Sequence, residues 1–331
     1  MENQETQNEL QSPHNLNLGP FHEAVNQIKA ELDKVLIGQK EMVDLMLAAL
    51  FSNGHILIEG VPGIAKTTAA KSLARALELN FSRIQFTPDL MPADVTGTSV
   101  FNLKNQEFEF KRGPIFGNIV LIDEINRSPA KTQAALFEVM EEHQVTIDGT
   151  THPVPRPFMV LATQNPIEQE GTYKLPEAQQ DRFMMKIVME YPSSEEEYQI
   201  LNRFSSGDSA SAITGIRPVL TAAKVKEIRD LVDKVYVKED LLRYIAGVVS
   251  ATRNHRDLYL GASPRAGLAI MRSSRVIAAM NSRSFVTPDD IRKVTFPVLN
   301  HRLVLTPESE MEGTELRQVV DEILKTVEVP R

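Results

Sequence analysis

Eight residues near the front of the chain have the types and spacing of a phosphate cradle: Gly60-Val61-Pro62-Gly63-Ile64-Ala65-Lys66-Thr67. They follow a short apolar run, His55-Ile56-Leu57-Ile58-Glu59, which reads as a buried strand. They open onto Thr68-Ala69-Ala70-Lys71-Ser72-Leu73-Ala74-Arg75-Ala76-Leu77, a run of good helix formers with an apolar stripe. Strand, glycine loop and helix start together aim backbone N–H groups at one anion. Lys66 would reach the β- and γ-phosphates and the Thr67 hydroxyl would ligate Mg²⁺, with Thr68 next to it among the ligand-binding residues. The expected ligand is a nucleoside triphosphate. One position departs from the usual pattern, because the glycine before the lysine is Ala65 here. A methyl group is tolerated there if φ stays negative.

Other residues could complete the chemistry. Ile119-Val120-Leu121-Ile122-Asp123-Glu124 is an apolar run ending in two acids. At the carboxyl end of a parallel strand, Asp123 would hold Mg²⁺ through water and Glu124 would polarise the attacking water. The plain alternative, a strand ending in a solvated acidic turn, loses weight beside a phosphate loop. In Thr163-Gln164-Asn165-Pro166, Asn165 could orient that water as a neutral amide, although an asparagine before proline is commonly just a turn. Arg182 follows Leu175-Pro176-Glu177-Ala178-Gln179-Gln180-Asp181 near the end of a short helix. It either compensates that helix end or acts as an arginine finger on the γ-phosphate of a neighbouring subunit. In Ser263-Pro264-Arg265-Ala266, Ser263 caps a helix, Pro264 takes its first position and Arg265 projects from its first turn. A cation there opposes the helix dipole unless an anion lies near, and phosphate under a lid arginine would be such an anion.

These residues need a scaffold that gathers strand ends. Buried strands are expected at 55–59, 81–86, 118–123, 158–163 and 183–188, with helices among them at 21–35, up to Leu50, from Thr68, and at 129–143. Two stretches alternate at period two and read as inserted hairpins. One runs 98–103 and 106–110 across Lys104-Asn105. The other runs 144–147 and 150–154 and closes on Asp148-Gly149, a strong tight-turn pair. Strands alternating with helices predict an α/β fold with a parallel, doubly wound sheet. From about residue 193 the strand signals stop, and helices alone are expected, at 221–235, 238–254, 264–281, 288–301 and 313–327. The expected division is a disordered polar tail over 1–18, an α/β core over 19–204, a linker over 205–218 and a helical lid over 219–331.

Composition narrows the classes. Of 331 residues, 42% are hydrophobic, enough for a sizeable core, and 24% are charged, ordinary for a soluble protein. Zero cysteines exclude disulfides, thiol catalysis and cysteine-based zinc sites. No apolar run spans a bilayer and the first residues are polar, so cytoplasm is the expected compartment. A net charge of -8 argues against a generally basic nucleic-acid surface. His22, His143, His152, His255 and His301 show no metal-ligand spacing. Glu195-Glu196-Glu197 reads as a solvated helix start, and Asp89, Asp94 and the hairpin after them either touch a target or, the better reading, shape the insertion.

Taken in order, these segments resemble the AAA+ ATPases and, more narrowly, the MoxR family. The narrower resemblance rests on Gly60-Val61-Pro62-Gly63 with Ala65-Lys66-Thr67, Leu121-Ile122-Asp123-Glu124-Ile125-Asn126-Arg127 and Ala162-Thr163-Gln164-Asn165-Pro166. Leu175-Pro176-Glu177-Ala178 with Asp181-Arg182-Phe183, and Gly261-Ala262-Ser263-Pro264-Arg265, complete it. The resemblance implies an AAA+ core with a lid, and ATP and Mg²⁺ as cofactors. It makes Lys66 and Thr67 part of Walker A and Asp123 and Glu124 part of Walker B. Asn165 becomes sensor 1, Arg182 the arginine finger and Arg265 sensor 2. Ile37 and Gly38 match the segment that flanks adenine, and Gln85 stands where some relatives restrain the Walker B glutamate. The family's rings, usually hexamers, bind ATP at subunit interfaces. Its members act as chaperones in the maturation of protein complexes, often with von Willebrand factor A domain partners and sometimes for metal or cofactor insertion. The leading expectation is an ATP-driven remodeller, with ATP between the core and lid of one subunit and Arg182 of the next completing the site. A nucleic-acid motor is the runner-up, but its pore hairpin should carry Lys or Arg. The stretch 144–154 has none, and the first hairpin offers only Lys104, with Lys111 and Arg112 just beyond. Against a third option, a regulatory ring with little hydrolysis, stand the acid pair and Arg182.

Overall fold

The structure, a computed structural model, describes residues 16–61, 65–165, 173, 175–205 and 213–330. Pro62, Gly63 and Ile64 of the phosphate loop lie outside the described residues, as do 1–15 of the expected tail and 206–212 of the expected linker.

Apolar residues recurring every three or four positions give α1 (Gly19–Asp33) one buried stripe of Phe21, Val25, Ile28 and Leu32. Leu18, just before it, is buried and Leu16 packs on the core, so the stretch expected as tail already holds core residues at its end. After α2 (Lys40–Phe51), β1 (Ile56–Glu59) leads through the phosphate loop into α3 (Lys66–Ala76). β2 (Phe81–Gln85) and a short α4 (Pro92–Thr96) precede the first hairpin, β3 (Gly97–Asn102) and β4 (Glu107–Arg112). At five residues, α4 is too short for a helical period to show in the sequence. Asp94 caps it, its Oδ2 accepting from the Met91 N–H at 2.8 Å, in keeping with a shaping role.

β5 (Ile119–Asp123) and α5 (Ala130–Glu142) lead to the second hairpin, β6 (Gln144–Ile147) and β7 (Thr150–Pro153). Its turn residues Asp148 and Gly149 have φ of 50° and 76°, the two positive values a type I′ turn requires. β8 (Met159–Gln164), α6 (Glu177–Gln180), β9 (Met185–Val188) and α7 (Ser194–Ser205) complete the core.

The five core strands are parallel and run in the order β2-β5-β8-β1-β9. Alternate residues point to opposite faces. Ile56, Ile58, Ile119, Leu121, Met159 and Leu161 pack on the side of α1, α2 and α3. Leu57, Val120, Ile122, Val160 and Ala162 pack on the side of α5 and the insertions. Burial of both faces is why these strands read as unbroken apolar runs. The registers pair Gln85 with Asp123, Ile122 with Ala162 and Glu59 with Gln164. The ends of four strands therefore meet along one carboxyl edge.

The remaining chain forms α8 (Ala222–Val232), α9 (Glu239–Arg253), β10 (Leu258–Leu260), α10 (Pro264–Met280), α11 (Pro288–Leu299), β11 (Val304–Leu305), α12 (Pro307–Met311) and α13 (Leu316–Thr326). This region is not helices only, because β10 and β11 pair antiparallel. Strands of three and two residues are too short for a period of two to show. The lid shares one continuous core with the sheet's first face: α10 packs on α1 and α2, and α11 on β9. Polar ties reinforce the seam, with Arg229 Nε donating to Leu50 O at 2.9 Å and Lys293 paired with Asp44 at 2.7 Å.

Candidate functional site

A cavity of about 350 Å³ opens at the carboxyl edge. Ala65, Lys66, Thr67 and Thr68 line it from the start of α3, Arg83 and Gln85 from β2, Asp123 and Glu124 from the end of β5, and Thr163 and Asn165 from β8. The phosphate-loop lysine and threonines, the acid pair and the amide expected from sequence are thus brought together. β8 lies between β1 and β5, so Thr163 and Asn165 stand between the phosphate loop and the acids.

Lys66 Nζ donates to Gly60 O at 2.6 Å, the lysine folding back over the first residue of its own loop. Burial holds its pKa below the ordinary value, against the opposing pull of Asp123 and Glu124. Thr163 locks the acids in place: its hydroxyl donates to Asp123 Oδ1 at 3.3 Å and accepts from the Glu124 N–H at 3.0 Å. Arg83 Nε pairs with Asp123 Oδ2 at 2.5 Å. Glu124 Oε2 accepts from Gln85 Nε2 at 2.8 Å and lies 3.2 Å from Arg127 Nε. The bond from Gln85 is a direct restraint of the kind the resemblance implied. Sequence reasoning missed Arg83 and Thr163. Both lie one strand away from their partner, and only the parallel register reveals them.

Two backbone positions are unusual. Glu124 adopts φ 57°, the left-handed region, which re-aims its side chain just beyond the strand. Ala65 adopts φ 58°, so the expectation of a negative φ at this position is overturned. The turn into α3 demands a left-handed residue whichever residue fills it, which is why glycine is the usual occupant.

A second cavity, of about 520 Å³, lies between core and lid, with Gly38, Met189, Tyr191, Phe296, Leu316 and Arg317 in its lining. Gly38 has φ 75°, and a side chain there would collide with the Glu196 carboxylate. Ile37, expected to flank the base beside Gly38, is half-buried and does not line the cavity. Lys186, also in the lining, pairs with Glu59 at 3.3 Å, one residue before the phosphate loop begins.

Arg182 and Arg265 lie in a third cavity, of about 280 Å³, which shares no lining residue with the one around Lys66. Arg265 donates through Nη2 to Glu141 Oε1 at 3.0 Å, and Arg182 pairs with the other oxygen of the same carboxylate. Arg265, expected over bound phosphate, thus opens onto this cavity and not onto the one around Lys66. The N-terminus of α10 is tied instead to the residue before Arg182, Ser263 Oγ donating to Asp181 Oδ2 at 2.9 Å. The anion that offsets Arg265 against the helix dipole is Glu141. The third cavity also holds His143, Arg272 and Arg302.

Elsewhere, His255 lies with Asp257 and Glu322, potential ligand atoms within 4.8 Å of one another. Sequence spacing did not show this grouping, because Glu322 comes from α13 while the other two follow α9. Among the described residues no helix is long and apolar enough to cross a membrane.

Known proteins match this geometry. The profile of the ATPase family associated with various cellular activities (AAA) matches residues 55–185, and that of the AAA lid domain matches 250–323. The chain is 43% identical over 310 residues to the chaperone MoxR1 of Mycobacterium tuberculosis, covering 91% of this chain and 81% of the relative. It is 44% identical to the Bacillus subtilis protein YeaC, covering 94% and 96%. A crystal structure of a protein from Cytophaga hutchinsonii superposes with a TM-score of 0.87 at 44% identity, covering 94% of this chain and 96% of that one. With the phosphate loop, acid pair and lid arranged as above and relatives aligned along nearly the whole length, the chain belongs to the MoxR family of AAA+ ATPases.

Proposed function

We propose that this chain hydrolyses ATP as a member of a ring of six copies and spends the energy on remodelling a protein complex.

 The carrying observation is the cavity at the sheet's carboxyl edge, where Lys66, Thr67, Asp123, Glu124 and Asn165 converge. A hydroxyl and a carboxylate in one cavity are the hard oxygen donors that suit Mg²⁺, so Thr67 and Asp123 would hold it. Held there, Mg²⁺ would supply positive charge against the charge that develops on the phosphates. Lys66 would leave Gly60 O for the phosphates. Glu124, released from Gln85, would polarise the attacking water, and Asn165 would orient that water. The base would lie in the core–lid cavity beside Gly38. Arg182 and Arg265 open onto a different cavity, which supports their serving the nucleotide of the adjacent copy rather than their own.

The names of the relatives support a protein client, and a von Willebrand factor A domain protein, with maturation or metal and cofactor insertion as the outcome, is the partner class we infer for a cytoplasmic ring. Two substitutions test the reading. Lys66→Ala should abolish ATP binding in a fluorescent-nucleotide titration. Glu124→Gln should bind ATP normally but lower steady-state phosphate release by roughly 100-fold or more. Normal turnover by the Glu124→Gln protein would remove that residue from the mechanism.

A further inference from the structure

Two guanidinium groups are attached to one carboxylate in the third cavity. Glu141 sits in the last turn of α5, where a negative charge is disfavoured by the helix dipole. Its two oxygens are divided between two cations, Oε2 to Arg182 Nη1 and Oε1 to Arg265 Nη2. Arg182 Nη1 also donates to Phe137 O, one turn earlier in α5, at 3.1 Å. Among the described residues, the other N–H groups of both arginines have no protein partner.

The backbones behind these side chains are fixed as well. Arg302 is buried and donates to Asp181 Oδ1 at 2.7 Å, Asp181 O at 3.1 Å and Phe183 O at 2.6 Å, holding the chain on both sides of Arg182. Ser263, the cap of α10, donates to the remaining oxygen of Asp181. Core and lid thus deliver the two arginines to one place, and Glu141 alone connects their heads.

We propose that Glu141 is a positioning residue: its carboxylate sets the spacing of Arg182 and Arg265 so that both address one phosphate group of the adjacent subunit's nucleotide. A carboxylate is about as wide as a phosphate edge, and each guanidinium keeps most of its donors for the incoming anion. This inference rests on the functional reading above. Glu141 touches neither nucleotide nor water in that scheme and acts through the arginines.

The test uses full-length protein at concentrations that permit self-association, with saturating ATP and Mg²⁺. Glu141→Gln keeps the side chain's shape but leaves one acceptor oxygen, enough for one guanidinium. The expected result is a fall in kcat of about tenfold or more, with KM for ATP and the affinity for fluorescent ADP changed by less than about twofold. Thermal unfolding should be little altered, since the carboxylate is partly exposed. In an Arg182→Ala, Arg265→Ala background, Glu141→Gln should change nothing further, because no heads remain to be positioned. An unchanged or raised kcat, or an equal further loss in the double-arginine background, overturns the proposal. Absence of turnover in the wild-type protein overturns the functional reading itself and this proposal with it.

Discussion

Glu124 is held in two ways, by a left-handed backbone at φ 57° and by a hydrogen bond from Gln85. A neutral amide on a carboxylate lowers its capacity to polarise water, and the bond must break before the carboxylate can act. Gln85→Ala should therefore raise target-independent ATP turnover a few-fold, the effect of removing a hydrogen bond of about 1 kcal/mol, with ATP affinity unchanged. A lowered rate would mean that the amide assists hydrolysis instead. Ala65 carries a comparable backbone cost. A non-glycine residue in the left-handed region is strained by about 1–2 kcal/mol, and glycine's extra freedom in the unfolded chain offsets part of its relief. Ala65→Gly should accordingly match or slightly exceed the wild type in urea unfolding, whereas Ala65→Val, β-branched at a positive φ, should fall below it by more than 1 kcal/mol or so. The residues legible in sequence were those whose partners are chain neighbours: Lys66 with Thr67, Asp123 with Glu124. Arg83, Thr163 and Glu141 were not legible, because each meets its partner only across a strand pairing or a helix end. The destination of Arg265 was hidden for the same reason, since Ser263 and Asp181 are far apart in sequence.

At the scale of elements, His55 joins the sheet to α5. Its Nδ1 accepts from the Val160 N–H at 3.0 Å and its Nε2 lies 3.2 Å from Met140 O, an arrangement that needs the neutral ring. Desolvation pushes its pKa down to about 4, with His143 and Arg229 nearby adding to the shift and the Met140 carbonyl opposing it. The folded-state value lies below the unfolded one, near 6.5, so the unfolded chain binds more protons between the two. The contribution is complete above pH 6.5 and is lost as the pH falls toward 4, reaching roughly 3 kcal/mol in full. His301, also buried and held well below its ordinary value by desolvation and by Arg302, acts in the same direction. Urea unfolding between pH 7.5 and pH 5 should show a steep loss in the wild type and a shallower one in His55→Gln. Parallel curves would remove His55 as a source of acid sensitivity. The elements themselves were largely legible, because double-sided burial writes strands as apolar runs and the Asp148-Gly149 turn writes its own hairpin. α4 and the β10–β11 pair were not, being too short to carry a period.

For the whole molecule, the placement of the arginines makes a ring-level prediction. Lys66→Ala removes the phosphate contact but leaves Arg182 and Arg265 intact. Arg182→Ala does the reverse, and so does Arg265→Ala. Each protein alone should hydrolyse ATP poorly. When Lys66→Ala is mixed in equal amounts with either arginine variant and subunits exchange, roughly a quarter of interfaces in a head-to-tail ring join an intact phosphate loop to intact arginines. Phosphate release should then recover to about that fraction of the wild-type rate. The two arginines separate the alternatives. If Arg265 served its own subunit, as its position in the lid suggested from sequence, no mixture of Arg265→Ala with Lys66→Ala could assemble a complete site, and no activity would return. Recovery with Arg182→Ala but not with Arg265→Ala would therefore confine the adjacent-subunit role to Arg182. Recovery with both would match the shared bond to Glu141, which makes the pair a single unit facing the next copy.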